Sequence, residues 1–158
     1  EYIRRKSPEE FLQLAKPYFR QAFPDTEAPY PKLVEILQPR VTRLTQIPEM
    51  IGFFQKLPGY EKELFINKKS KTNLENSKEV LEDTIALLEA LPNWNHDGIH
   101  DCLIQYAQEK GLKNGTVMWP VRIAAAGQLV TPGGAIEILE ILGREESLRR
   151  LRLGLAKL

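Results

Sequence analysis

The sequence holds a single cysteine, Cys102, so it forms no internal disulfide and offers no cysteine-based zinc site. No apolar run approaches the ~18 residues that a bilayer-spanning helix needs. A dominant charge is missing too: 22 Lys and Arg stand against 21 Asp and Glu, a formal net charge of +1. Contact with nucleic acid would therefore have to come from local patches, which excludes a polybasic binder. There is no Ser-His-Asp spacing, nucleophile elbow, phosphate-cradling glycine loop or dinucleotide fingerprint, and the glycine-containing stretches lack the strand such motifs require. No catalytic residue is expected in this chain. Period-2 alternation is absent and no internal repeat recurs, which argues against both sheets and solenoids.

What is present is an ordinary folded composition. The 158 residues are 42% hydrophobic and 27% charged, enough for one compact domain or two small ones. The start at Glu1-Tyr2-Ile3, without methionine or apolar leader, leads us to expect a piece of a longer cytoplasmic protein. Ser7-Pro8-Glu9-Glu10 combines a capping serine, proline at the first helical position and glutamate three residues after the cap. The helix that follows should bury Phe11, Leu14, Ala15, Tyr18, Phe19, Ala22 and Phe23, with a bend at Pro17. Pro24, Asp25, Pro29 and Pro31 predict a stiff surface connection.

From Lys32 to Phe54 the apolar rhythm is divided by Pro39 and Pro48 into three short helical pieces. Proline frees carbonyls one turn back, so Gln38, Arg40 and Arg43 lie beside a broken ladder and should face outward. Leu57-Pro58-Gly59 is a turn, and the weakly periodic 59–75 reads as a linker between subdomains 1–58 and 76–158. After it, a helix capped by Asn76 or Ser77 should run to Pro92. A second, capped by Asn95 between the staple residues Trp94 and Ile99, should end at Lys110-Gly111. An apolar segment from Val117 to Ala126 follows, then a loop through Thr131-Pro132-Gly133-Gly134. Two further helices carry Ile136, Leu139, Leu142 and Leu148, Leu151, Leu155. The fold class is all-α.

His96 and His100 share the i, i+4 spacing of helical zinc ligands, but the accompanying glutamate is missing and both belong to the first turns of a helix. They read as solvated histidines, and no metal is expected. Lys68-Lys69-Ser70-Lys71 reads as a solvated run. Arg122 differs, because it sits among Trp119, Pro120, Val121, Ile123 and a run of alanines, where a charge either snorkels outward or forms a defined pair. Ten residues on, the small Thr131–Gly134 loop would let a planar base approach its backbone closely. Arginine supplies bidentate donors or a flat stacking cation; lysine supplies neither.

Three segments carry a family resemblance. They are Gln38-Pro39-Arg40 with Leu44, Ile47 and Pro48; Glu109-Lys110-Gly111-Leu112-Lys113 through Pro120-Val121-Arg122; and Thr131-Pro132-Gly133 with Leu142-Gly143-Arg144-Glu145. With the last two in the right order and spacing, the chain resembles, over essentially its whole length, the C-terminal anticodon-binding region of bacterial glutamyl-tRNA synthetases. The resemblance implies two consecutive small all-α subdomains of helical-bundle or helix-cage type that bind the tRNA for glutamate. It places glutamate, ATP and Mg in a catalytic domain upstream, and leaves this chain without cofactor or catalysis. It puts Arg40 on the arginine that reads the third anticodon base in discriminating enzymes. Arg122, Thr131, Pro132 and Gly134 fall on further anticodon contacts, with only a backbone contact left to the glycine. Gln38 and Arg43 are further candidate RNA contacts. A monomer is expected. The competing reading, without RNA binding, is an all-α interaction or dimerisation module with a seam of Leu148, Leu151, Leu155 and Leu158. A third, a metal-dependent hydrolase, would need His96 and His100.

Overall fold

The computed structural model describes residues 7–22, 30–40, 43–55, 57–129, 131 and 133–158. It divides into two compact units, Glu1–Lys56 with Val130–Gly133, and Leu57–Leu129 with Gly134–Leu158. Among the described residues all regular structure is helical, apart from one isolated antiparallel bridge between Asn67 and Thr72.

In the first unit α1 spans Pro8–Ala22 and opens as its capping signal requires, with Ser7 Oγ accepting from the Glu10 amide at 3.2 Å. The helix continues through Pro17. Its buried stripe is narrower than the sequence suggests: Phe11, Ala15 and Phe19 are buried, whereas Leu14 is 42% exposed at the stripe's edge. Most of the expected proline-rich connection lies outside the described residues. Tyr30–Lys32, expected at its end, instead open α2 (Tyr30–Leu37), with Pro31 in the first turn, where a missing N–H leaves no helical bond unmade. A 3-10 turn, Leu44–Gln46, leads directly into α3 (Ile47–Gln55), so Pro48 begins a helix rather than dividing one. Helices α2 and α3 both pack on α1, burying Leu33, Leu37, Ile47 and Ile51.

The second unit contains five helices: α4 (Leu74–Glu89), α5 (His96–Lys110), α6 (Asn114–Ala126), α7 (Ala135–Leu142) and α8 (Arg144–Lys157). The segment read above as a linker, 59–75, lies within this unit. It contains a 3-10 turn, Lys62–Phe65, followed by the Asn67–Thr72 turn, and it contributes the buried Phe65 and Thr72. Neither turn has a helical period, which is why its packing left no rhythm in the sequence. The α4 cap lies three residues earlier than expected: Asn73 Oδ1 accepts from the Asn76 amide at 2.8 Å, and Asn76 Oδ1 accepts from the Asn73 amide at 2.7 Å. Asn95 caps α5 as expected, accepting from the Gly98 amide at 2.7 Å, and Gly111 ends it.

Helix α6 is the axis of this unit, packed by α4, α5, α7, α8 and the 3-10 turn. Its Val117, Val121, Ile123 and Ala124–Ala126 are all buried, and it ends at Gly127 in the left-handed region with φ +69°. Helix α8 crosses it closely: a Cβ on Gly154 would lie 2.8 Å from the Ala124 Cβ and 3.1 Å from the Tyr60 hydroxyl. Beside that crossing Arg150, which has no exposure to solvent, donates from Nη1 to the Ala125 carbonyl at 2.8 Å and from Nε to Glu146 Oε2 at 2.6 Å. Leu148 and Leu151, proposed above as a docking seam, are buried within the unit. The interaction-module reading loses the centre of its surface.

Two predictions arise from this core. Gly154→Ala forces a methyl group into Ala124 and should lower unfolding free energy by ~1–3 kcal/mol in a denaturant titration. The Glu146 carboxyl is held down to about 2, chiefly by its hydrogen bond from Arg149 and, against burial, also by Arg150. Its folded value lies below the ordinary 4.5, so its contribution is complete above that pH and fades as pH falls through about 2. Glu146→Gln should cost ~1–2 kcal/mol at neutral pH, allowing for solvent screening, and the gap from the parent should close on acidification.

Candidate nucleic-acid interface

In the first unit the break at Pro39 produces the geometry its chemistry implies. Gln38 N donates to Val34 O at 3.0 Å, and Arg40 N donates to Leu37 O at 2.9 Å instead of continuing the ladder to Ile36. The Ile36 carbonyl is then taken by Arg40 itself, through Nη1 at 2.6 Å. Pro39 removes the donor that would reach Glu35, the chain turns there, and the Arg40 amide moves to Leu37; the Ile36 carbonyl it gives up is taken by its own guanidinium, using one of five N–H donors. The Arg40 side chain is exposed, Gln38 is half-buried, and Arg43 is exposed where the 3-10 turn begins. There the Arg43 amide donates to Gln46 Oε1 at 3.1 Å, which holds the turn closed. Thr131 also belongs to this unit; it is half-buried and its hydroxyl donates to the Gly133 carbonyl at 2.5 Å. Pro132 lies outside the described residues.

In the second unit Arg122 and Gly134 line one groove of about 370 Å³, with walls from Ile104, Met118, Trp119 and Glu137. Its size falls within the ~300–1,000 Å³ of ordinary ligand pockets. The Arg122 guanidinium lies 4.7 Å from the centroid of the Trp119 ring, and Nη2 donates to the Leu129 carbonyl at 2.9 Å. Partial burial pushes the Arg122 pKa down from its ordinary value. The choice left open in the sequence, snorkelling or a defined pair, is resolved as a guanidinium on an aromatic face. Gly134 is exposed at the start of α7, and a Cβ there would lie 3.2 Å from Glu137 Oε2, so the carboxylate stands where a larger residue's side chain would begin.

Trp119 and Glu137 were not singled out as site residues from the sequence, and His100, which also lines the groove, was weighed there only as a metal ligand. The spacing of Trp119, three residues before Arg122 on one helix, is the signal that could have found it. His96 and His100 stack at 6.1 Å between ring centroids, with Nδ1 atoms 3.5 Å from Asp97 and 3.1 Å from Asp101. Among the described residues no group of three or more His, Cys, Asp or Glu is placed to hold a metal ion. Lys68, Lys69 and Lys71 are exposed around the Asn67–Thr72 turn, where Lys71 has φ +56°.

A family model described as the anticodon binding domain matches residues 10–155. The chain belongs to the anticodon-binding domain family. Along its whole length this anticodon-binding chain is 46% identical to a glutamate–tRNA ligase of Clostridium tetani and 44% identical to one of Clostridium novyi. It spans about a third of the length of these relatives, 32% and 33%. A crystal structure of a glutamate tRNA ligase from Elizabethkingia meningosepticum, in complex with its amino acid, shares the fold. It matches 99% of this chain and 30% of that one, with a TM-score of 0.79 and 23% sequence identity. The all-α expectation for an anticodon-binding region is thereby met. Among the described residues no helix is long and apolar enough to cross a membrane.

Proposed function

We propose that this anticodon-binding chain serves a cytoplasmic, monomeric glutamate–tRNA ligase, reading the anticodon of glutamate tRNA. The observation that carries the reading is the pair of pre-set guanidinium groups. Arg40 is tied to the Ile36 carbonyl at the Pro39 break, and Arg122 lies over the Trp119 ring in a groove with a glycine at its rim. Unpaired anticodon bases expose their hydrogen-bonding edges and both faces, and a planar cation suits either. Arg40 reads the third anticodon base. Arg122, Thr131, Pro132 and Gly134 serve further anticodon bases, and Gln38 and Arg43 add RNA contacts. Glutamate, ATP and Mg are handled by an upstream catalytic domain of the same ligase, a division supported by relatives three times as long.

A net charge of +1 limits the phosphate contribution, so affinity should be modest and specificity concentrated in few residues. The test is a filter-retention titration with glutamate tRNA and with the same tRNA altered at its third anticodon base, at two salt concentrations. The cognate tRNA should bind tighter at both. Arg40→Gln keeps an N–H donor for the Ile36 carbonyl, and should lower discrimination at that base by ~1–3 kcal/mol. Equal, weak binding of both tRNAs that vanishes with added salt would reduce the interaction to phosphate attraction.

A further inference from the structure

We infer that Trp119 is a positioning residue for base discrimination, acting through Arg122; this rests on the anticodon reading above. An arginine side chain has four rotatable bonds, so a guanidinium that selects one base has to be ordered before or during binding, and ordering beforehand favours affinity. Trp119 and Arg122 are three residues apart on α6, on the same side of the helix. The indole is itself held: its Nε1 donates to the Leu64 carbonyl at 2.9 Å, in the Lys62–Phe65 turn. That turn is anchored in the core by Phe65, whose carbonyl accepts from the buried Thr72 hydroxyl at 2.6 Å. The ring plane is therefore set by a segment 55 residues away in sequence. Two independent constraints then act on Arg122. The ring face, 4.7 Å from the guanidinium carbon, bounds it on one side, and the Leu129 carbonyl, 2.9 Å from Nη2, limits its rotation. Partial burial strengthens a cation–aromatic contact by removing competing water.

The consequence is specific to the bases that Arg122 serves. A loss of general stability would weaken discrimination everywhere, including at the third base served by Arg40 in the other unit. The experiment uses the whole 158-residue chain and four tRNAs: glutamate tRNA and its single-base variants at each anticodon position. Trp119→Leu, Arg122→Met, the double variant and Trp119→Phe are titrated below their melting temperatures. Trp119→Leu should lower discrimination about three- to tenfold at the position where Arg122→Met lowers it, and leave the third base as in the parent. In the Arg122→Met background it should add nothing. Trp119→Phe keeps a ring but gives up the Leu64 bond, and should lose about two- to threefold at the same position. It carries the test if Trp119→Leu does not fold.

Parent-like discrimination in the tryptophan variants, with Arg122→Met impaired, would overturn the positioning role and leave the anticodon reading intact. An equal loss from Trp119→Leu with or without Arg122 would also overturn it, since the indole would then touch RNA directly. Parent-like discrimination in Arg122→Met would remove both the role of Arg122 and the inference built on it. A parent chain that distinguishes none of the tRNAs would overturn the anticodon reading first.

Discussion

The second unit depends on how a charged group is accommodated beside its central helix. Helix α6 is surrounded, so the backbone carbonyls at its C-terminal end have little water to turn to. Arg150 enters from α8, places Nη1 on the Ala125 carbonyl and returns its charge to Glu146 on its own helix. A buried cation is tolerated only when it is paired and hydrogen-bonded, and a cation at a helix C-terminus also meets the favourable end of the helix dipole. The arrangement requires α8 to come close, which the absence of a side chain on Gly154 opposite Ala124 permits.

With α6 fixed at that end, its other side becomes a platform for chemistry. Trp119 is reached by the Leu64 carbonyl, Thr116 donates through its hydroxyl to Ser70 O at 2.6 Å, and Arg122 is laid over the indole. The 59–75 segment thus supplies two acceptors to α6, which explains why it belongs with this unit. A similar principle governs the α7–α8 junction. The Leu139 carbonyl there accepts from the Trp94 indole at 2.9 Å and from the Ser147 hydroxyl at 3.1 Å, while Arg144 donates to the Leu91 carbonyl. Polar ends of short helices are satisfied by side chains from elsewhere in the unit, and one of these, Trp119, is also a wall of the groove.

The first unit reaches an exposed guanidinium by a wholly local route. Pro39 cannot donate, the chain turns, and Arg40 takes the carbonyl left one turn back. No distant partner is needed, which is why the position of Arg40 beside a freed carbonyl could be read from three consecutive residues. Apart from the family resemblance, Arg122 was readable only as an anomaly, a charge in an apolar run. Its aromatic partner lay three residues away in plain sight, but the bond that fixes that partner comes from Leu64.

The sequence alone determined the helices and most of their ends, because caps, prolines and terminal glycines act within one turn: Ser7, Asn95 and Gly111 do what their residue types require. Tertiary structure decided which residues those helices hide. Leu14 fits the apolar stripe of α1 yet is exposed, and the aperiodic 59–75 segment is packed. Arg149 and Arg150 show the reason most clearly. They are identical neighbours in a charged helix, yet one side chain is 56% exposed and the other wholly buried. A rotation of about 100° per residue along a helix separates them, and only the arrival of α6 on one side gives that angle a meaning.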